Sequence, residues 1–413
     1  MDVRYDESTT VWPEDSLARV PYWVYQDEAN YKREMERLFE AATWNFVCLE
    51  ADIPNKGDYR TNHVGIMPVI AVRGADGSIN CFENRCSHRG ALIAFDDAGN
   101  VGNQFRCVYH SWSYDLSGNL RGIAFERGIN GVGGMPKDFC RDDFSPRKLR
   151  TTTLCGLVFA TLSPDTPPIE AYIGAEVLPR LKRVLNRPIR VMGRFVQVLP
   201  GNWKLYFENT RDNYHASLLH LFLTTFRIDR MTQDGGILVS PDGGSHTTYT
   251  IASPDNATAY RDQGIRTEKD DYKLADPSLL DSVDEYGDAV QVQIVSIFPG
   301  AVVQQIRNCL AVRQIVPKGV DRTELQWTYF GYADDSPEMN RRRLKQQNLV
   351  GPAGLVSMED GCVVGFVQRG IASAGNKVSV VEMGGRTAES QKVRATETAV
   401  RGFWKAYRRH MGY

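Results

Sequence analysis

The sequence predicts an α+β chain in two parts: a small all-β unit, then a larger unit in which helices attend an antiparallel sheet. Three observations predict it. From about residue 45 to 165, short alternating apolar runs are cut by Gly, Asp and Asn turns, as in Val69-Ile70-Ala71-Val72 before Gly74-Ala75-Asp76-Gly77. Three longer strand-like runs follow at Val290 to Phe298, Val302 to Val316 and Thr323 to Tyr332, joined by turns at Pro299-Gly300 and Pro317-Lys318-Gly319, which reads as an antiparallel meander. Helical stretches then close the chain at about 336 to 348, 355 to 369 and 395 to 410. At 413 residues the chain is long for one hydrophobic core. The division expected is 1–44, an N-terminal segment packing on the larger unit; 45–165, the β unit; and 166–413, the larger unit.

Taken in order, Tyr22 to Tyr25 leads into an amphipathic helix from Tyr31 to Ala42. Leu157-Val158-Phe159-Ala160 is a last strand of the β unit, and Ser163-Pro164-Asp165-Thr166-Pro167-Pro168 marks its exit. A helix near Ala171 to Leu185, a strand at Ile189 to Val198 and a helical segment from Trp203 to about Leu219 follow. The polar stretch from about 252 to 285 is expected to form a loop over a site.

Charged residues make up 24% and apolar residues 42%, ordinary values for a globular protein. A formal net charge of −1 argues against a nucleic-acid surface. The start, Met1-Asp2-Val3-Arg4, lacks the basic end and apolar run of a signal peptide, and no apolar stretch approaches the roughly 20 residues of a membrane span. The expectation is a cytoplasmic protein without a membrane segment. Of eight Cys, Cys48, Cys81, Cys140, Cys155, Cys309 and Cys362 are dispersed and read as small buried hydrophobes.

The other two carry chemistry. Cys86-Ser87-His88 and Cys107-Val108-Tyr109-His110 each pair one thiolate with one imidazole. A zinc finger groups like ligands, two Cys and then two His. Mixed loops suit an asymmetric two-iron cluster in which one iron takes both Cys and the other both His, the ligand set of a Rieske [2Fe–2S] centre. The competing reading is structural zinc or incidental buried Cys and His.

A second constellation lies in Asn202-Trp203-Lys204-Leu205-Tyr206-Phe207-Glu208-Asn209-Thr210-Arg211-Asp212-Asn213-Tyr214-His215, which continues to His220. Two His and one carboxylate can hold a non-haem Fe(II) on one face and leave the other open. His215 and His220 are five apart, about 140° on a regular helix, so sharing one ion requires the helix to loosen or end around Ser217 to Leu219. Taken alone, such a pair is more often core or surface histidine than ligand.

The segments around the loops, Asn84 to Gly90 and Cys107 to Asp115, together with Asn202 to Asn209, Gly351-Pro352-Ala353-Gly354, Ser357-Met358-Glu359-Asp360-Gly361 and Arg394-Ala395-Thr396-Glu397-Thr398, resemble the large subunits of Rieske non-haem iron ring-hydroxylating oxygenases. The group resembled acts on aromatic carboxylates and includes terephthalate and anthranilate dioxygenases and salicylate hydroxylase. The likeness spans nearly the whole chain. It implies an all-β Rieske [2Fe-2S] domain beside a helix-grip catalytic domain, whose curved antiparallel sheet grips a long helix. It implies cluster ligands Cys86, His88, Cys107 and His110 and iron ligands His215, His220 and Asp360, with Glu359 the neighbour that could be mistaken for the third. Asp212 then bridges His215 to a cluster histidine of a neighbouring subunit, here His110, and Asn209 joins the substrate-binding residues. Val364 and Val367 continue the Asp360 face as an apolar strip beneath a ring.

The resemblance also implies head-to-tail trimers, commonly with three small β subunits, and a separate reductase, sometimes with a ferredoxin, that delivers electrons from NADH. An anionic substrate calls for an arginine in an apolar pocket. Arg313, flanked at period two by Cys309, Ala311 and Ile315, and Arg394, before the last helix, are the candidates. The alternative for each is an ion pair with a carboxylate such as Glu324 or Glu397. The activity expected is NADH-driven cis-dihydroxylation of terephthalate or an ortho-substituted benzoate such as anthranilate. The rivals are salicylate monohydroxylation and, in another class, a Rieske electron carrier without an oxygenase site.

Overall fold

The computed structural model describes residues 11–13, 16–253, 258–265 and 272–413. These form two compact units, one of Phe39–Ile169 and one combining the described residues up to Leu38 with Glu170–Tyr413. The expected divisions at 44/45 and 165/166 lie four to six residues from these boundaries.

The larger unit begins with β1 (Arg19–Pro21) and α1 (Glu28–Glu34), which runs into a π-helical turn at Met35–Phe39 where a single helix over 31–42 was expected. Asp27 caps α1 by accepting from the Asn30 N–H, so the helix starts earlier than its apolar face suggests.

The unit of 39–169 holds β2 (Asn45–Leu49), β3 (Asp58–Val64), β4 (Met67–Arg73), β5 (Ile79–Glu83), β6 (Ala98–Asn100), β7 (Gln104–Arg106), β8 (Ser113–Asp115), β9 (Leu120–Gly122), β10 (Lys148–Leu154) and β11 (Leu157–Thr161). They make an antiparallel sheet ordered β2-β11-β10-β5-β4-β3-β6 and a small β7-β8-β9 sheet. Ile70, Phe82, Phe105, Trp112 and Tyr114 build its core, and Cys86 and Cys107 belong to the same apolar cluster.

The larger unit continues with α2 (Ile169–Ile173), α3 (Leu178–Val184), β12 (Ile189–Leu199), α4 (Trp203–Asn209), α5 (Asn213–Leu219), α6 (Leu221–Thr225), β13 (Gly235–Val239), β14 (Ser245–Ile251) and α7 (Thr258–Asp262). Then come β15 (Val290–Ile297), β16 (Ala301–Ile306), β17 (Cys309–Gly319), β18 (Arg322–Tyr332), α8 (Pro337–Val350), α9 (Leu355–Ile371), β19 (Val378–Val380) and α10 (Thr398–Met411). The seven-stranded antiparallel sheet runs β12-β18-β17-β16-β15-β14-β13, with α4 against β17 and α9 and with α9 against β12. Residue pairing lays three cross-strand rows on one face: His246-Ser296-Val302-Arg313-Trp327, Thr248-Ile294-Gln304-Ala311-Tyr329 and Thr250-Val292-Ile306-Cys309.

Several expectations change here. The run 302–316 is two strands joined at Arg307-Asn308, and β17 continues through Pro317-Lys318-Gly319 instead of turning there. The helix at 171–185 is two short ones. Cys140 and Cys362 are exposed, not buried. Of the loop expected at 252–285, residues 254–257 and 266–271 lie outside the described ones; the remainder carries α7 and a 3-10 turn at Pro277–Leu280. Among the described residues one helical stretch, Pro337–Ile371, has the length and composition of a membrane span. Half of its apolar window is buried in the protein, and 351–354 divide it into α8 and α9.

Candidate functional site

In the β unit, two turns of the same design face each other. The Gly90 N–H donates to the Cys86 carbonyl (2.9 Å) and the Ser111 N–H to the Cys107 carbonyl (3.0 Å). Each turn closes on a left-handed residue, Gly90 at φ +75° and Ser111 at φ +56°. The first loop is pinned by Asn84, whose Oδ1 accepts from the N–H groups of Ile93 and Ala94, both at 2.9 Å. Both thiols are 2% exposed. The Tyr114 hydroxyl donates to Cys86 Sγ at 3.1 Å. His88 and His110 lie outermost, exposed, with ring centroids 4.4 Å apart, and His88 stacks on Trp112. Thiolates within and imidazoles at the rim fit a cluster with one Cys₂ iron and one His₂ iron.

In the larger unit α5 ends at Leu219. His220 sits outside helical geometry at φ −81°, ψ 83°, and α6 restarts at Leu221. That break turns His220 back toward His215, with ring centroids 5.3 Å apart. Asp360 comes from α9, which approaches β12 closely because Gly361 and Gly365 present no side chain to it. A Cβ on Gly361 would stand 3.2 Å from Leu199 Cδ2 and one on Gly365 2.9 Å from Pro200 Cγ. Asp360 Oδ1 lies 3.4 Å from His215 Nε2 and 3.2 Å from His220 Nε2. Cis donors, each about 2.1 Å from one ion, are separated by about 3 Å, so the three atoms suit a 2-His-1-carboxylate centre. They are also the one His, Cys, Asp and Glu group among the described residues whose donor atoms converge in this way.

The outer nitrogens are braced as well. Asp212 caps α5, its Oδ1 accepting from the Tyr214 N–H (2.8 Å), while its Oδ2 lies 3.2 Å from His215 Nδ1. Glu359 Oε2 lies 2.9 Å from His220 Nδ1. Sequence reasoning saw Glu359 only as a rival to Asp360; the i, i+1 pair splits, one carboxylate reaching Nε2 and the other Nδ1. Asn209 Nδ2 stands 3.2 Å from His215 Nε2 and donates to Asp360 Oδ1 at 3.1 Å. Burial pulls the His215 imidazole down, but hydrogen bonds to Asp212 and Asp360 outweigh it and hold the group at about 10. Burial pushes Asp360 up, yet the two imidazoles hold it well below the usual carboxylate range. The pocket is built for positive charge, which either two protons or a divalent ion can supply.

A cavity opens beside this triad, lined by Val292, Ile294, Gln304, Ile306, Arg313 and Trp327 from the sheet, by Asn213, Leu223 and Asp229, and by Val350 and Val356. Arg313 is 6% exposed; its Nη1 donates to the Tyr206 hydroxyl (2.8 Å), and the guanidinium lies 4.9 Å from the Trp327 ring centroid. No carboxylate pairs with it among the described residues. Arg394 differs. It lies behind the wall, where Nη2 donates to Asp229 and Nη1 to the Arg230 carbonyl. The anion that answers it before the last helix is Asp229, not Glu397. The apolar strip expected on α9 is corrected too. Val364 packs on Gly201, and Val367 is 39% exposed. The apolar walls come mainly from the sheet, with Leu223, Val350 and Val356 added by helices; the apolar contribution of α9 is Val356, one turn before Asp360.

Comparison with known proteins agrees with this architecture. Residues 43–132 match the Rieske [2Fe-2S] domain and 185–413 the ring hydroxylating alpha subunit (catalytic domain). The chain is 53% identical over 407 residues to the terminal oxygenase component subunit alpha 2 of terephthalate 1,2-dioxygenase from a Comamonas species, covering 98% of each chain. It is 45% identical over 412 residues to the anthranilate 1,2-dioxygenase large subunit of Burkholderia cepacia, covering 99% of this chain and 97% of that one. In fold it resembles naphthalene 1,2-dioxygenase from a Rhodococcus species bound to indole, with a TM-score of 0.78, 21% identity and coverage of 95% and 94%. A Rieske domain followed by this catalytic domain implies an iron–sulfur cluster and a mononuclear iron, and the chain belongs to the aromatic ring-hydroxylating oxygenase alpha subunits, which are Rieske non-haem iron enzymes.

Proposed function

We propose that this chain is the terminal oxygenase large subunit of a dioxygenase that cis-dihydroxylates an aromatic carboxylate. Dioxygen supplies both oxygen atoms, and two electrons from NADH, with two protons, complete the diol. The observation that carries the reading is Arg313, a buried cation in the wall of an apolar cavity beside the triad, with no carboxylate of its own among the described residues. A planar guanidinium matches a carboxylate bidentately. The two relatives named above act on terephthalate and anthranilate, both aromatic carboxylates.

The residues divide the work. His215, His220 and Asp360 would hold iron, and Cys86, His88, Cys107 and His110 the cluster; together these groups supply electron delivery and oxygen activation. Asp212 holds the Nδ1 proton of His215 and is 24% exposed, which supports its expected role facing His110 of a neighbouring subunit. Trp327, Ile294 and Val350 seat the ring and exclude water. A reductase, in some systems a ferredoxin, and small β subunits complete the proposed assembly in the cytoplasm.

The test is reconstitution with a reductase and NADH, with products identified from terephthalate, anthranilate, salicylate and benzoate. A cis-diol or catechol product supports dioxygenation; gentisate from salicylate would replace it with monohydroxylation. His215→Ala should abolish turnover and leave the cluster spectrum intact. Loss of the cluster would overturn the division of ligands, full activity would overturn His215 as an iron ligand, and no product from any of the four substrates with the wild type would return the electron-carrier reading.

A further inference from the structure

The cavity has a second polar end, and its open atom is a carboxylate oxygen. Asp229 is 1% exposed and lines the cavity. Its Oδ1 accepts from Arg394 Nη2 and from the Thr250 hydroxyl (3.1 Å). Its Oδ2 takes no hydrogen bond among the described residues, although a carboxylate oxygen can accept two. Beside it, Asn213 also lines the cavity and accepts from Arg394 at 3.4 Å, with its own Nδ2 buried and unpartnered. Arg394 is thus spent on Asp229, Asn213 and a backbone carbonyl, and it offers the cavity no net charge.

Arg313 stands in the first cross-strand row. Thr250, which holds Asp229, stands in the third row and three strands away; Ile294, Val292 and Ile306 lie between them, together with Gln304, whose Nε2 is buried and unpartnered. Rows are about 7 Å apart along a strand and neighbouring strands about 5 Å apart, so the two charged ends flank a floor that is apolar except at Gln304 and Thr248. One end is an open cation. The other is an open acceptor whose charge is already answered from behind.

We propose that Asp229 selects, among aromatic carboxylates, those whose ring also carries an amino or hydroxyl group. The carboxylate meets Arg313 and the substituent donates its N–H or O–H to Asp229 Oδ2. The inference rests on the reading of Arg313 as carboxylate anchor. A second carboxylate would face Asp229 with like charge and could reach Arg394 only by displacing it. An unsubstituted benzoate would leave the buried acceptor unpaired.

The test uses the holoenzyme with its reductase and compares the three aminobenzoate and three hydroxybenzoate isomers with benzoate and terephthalate. The best amino or hydroxy isomer should exceed both in kcat/KM by about ten-fold or more, the range of a hydrogen bond to a charged acceptor. In Asp229→Asn the ratio of its kcat/KM to that of terephthalate should fall by about ten-fold. Because that variant strands Arg394, the double variant Asp229→Asn/Arg394→Met, which removes both charges, is measured beside it. Terephthalate or benzoate preferred by the wild type, with Arg313→Met still weakening their binding by about 10- to 100-fold or more, overturns the selection by Asp229 and leaves the carboxylate reading standing. Equal turnover of rings with and without a carboxylate overturns both.

Discussion

Replacing Arg313 by Met removes a buried charge while keeping an unbranched apolar stem, and it should move stability and binding in opposite directions. In the free protein the guanidinium is 6% exposed, bonded to the Tyr206 hydroxyl at 2.8 Å and 4.9 Å from the Trp327 ring centroid, with Nε unpartnered. Losing that hydrogen bond costs about 1 to 3 kcal/mol and the ring contact about 1 kcal/mol. Against this, an uncompensated buried ion carries a desolvation penalty of several kcal/mol, which the substitution relieves. The ligand-free variant should therefore melt at the wild-type temperature or above it. Substrate reverses the order. At a hundred times Kd a ligand stabilises the wild type by about 2.7 kcal/mol, or roughly 4 to 5 °C for a unit of this size. The variant forfeits one or two charge-assisted hydrogen bonds, about 10- to 100-fold or more in affinity, and most of that shift. The assay is thermal unfolding with and without the best aromatic carboxylate, alongside KM. A variant that melts several degrees lower without ligand and keeps the wild-type KM would falsify the anchor and make Arg313 structural.

Three further outcomes are expected. Glu359→Ala removes the acceptor at His220 Nδ1 and should weaken iron binding by about 10- to 100-fold, read as iron retained against a chelator with the cluster absorbance unchanged; Glu359→Gln, which keeps an acceptor oxygen, should recover part of it. Burial pushes the Glu208 carboxyl up to about 8, against hydrogen bonds donated by Trp404 and Tyr25. A raised folded-state value means that its contribution is full below about 4.5 and is lost as pH rises through 8, so Glu208→Gln should flatten the fall in stability across that window, and a parallel pH profile in the variant would refute it. Tyr114→Phe deletes the hydroxyl that donates to Cys86 Sγ and should lower the cluster's reduction potential with little change in its absorption spectrum; an unchanged potential would mean the bond is absent in the loaded protein.

What could be read early was local in the chain. Each cluster loop carries its Cys and His within four residues, so spacing alone sets their geometry. The break required between His215 and His220 likewise follows from helical pitch, and the helix does end at Leu219. Other elements gave no such signal. The strand β14, Ser245-His246-Thr247-Thr248-Tyr249-Thr250-Ile251, is polar on both faces, so alternation is absent in a strand that lines the cavity through Thr248. The turn between β16 and β17 has no glycine, Arg307 itself adopting φ +51°, so two strands read as one.

By itself, then, the sequence determined the α+β class, the two mixed Cys–His loops and the pairing of His215 with His220, because those features depend on periodicity and short spacings. Only the tertiary structure decided that Glu359 braces one imidazole, that Asp229 answers Arg394, and that Arg313 alone of the two arginines faces the cavity. Each of these joins side chains on elements far apart in the chain. Which charge is paired depends on what the fold brings within hydrogen-bonding reach, and no local pattern encodes that distance.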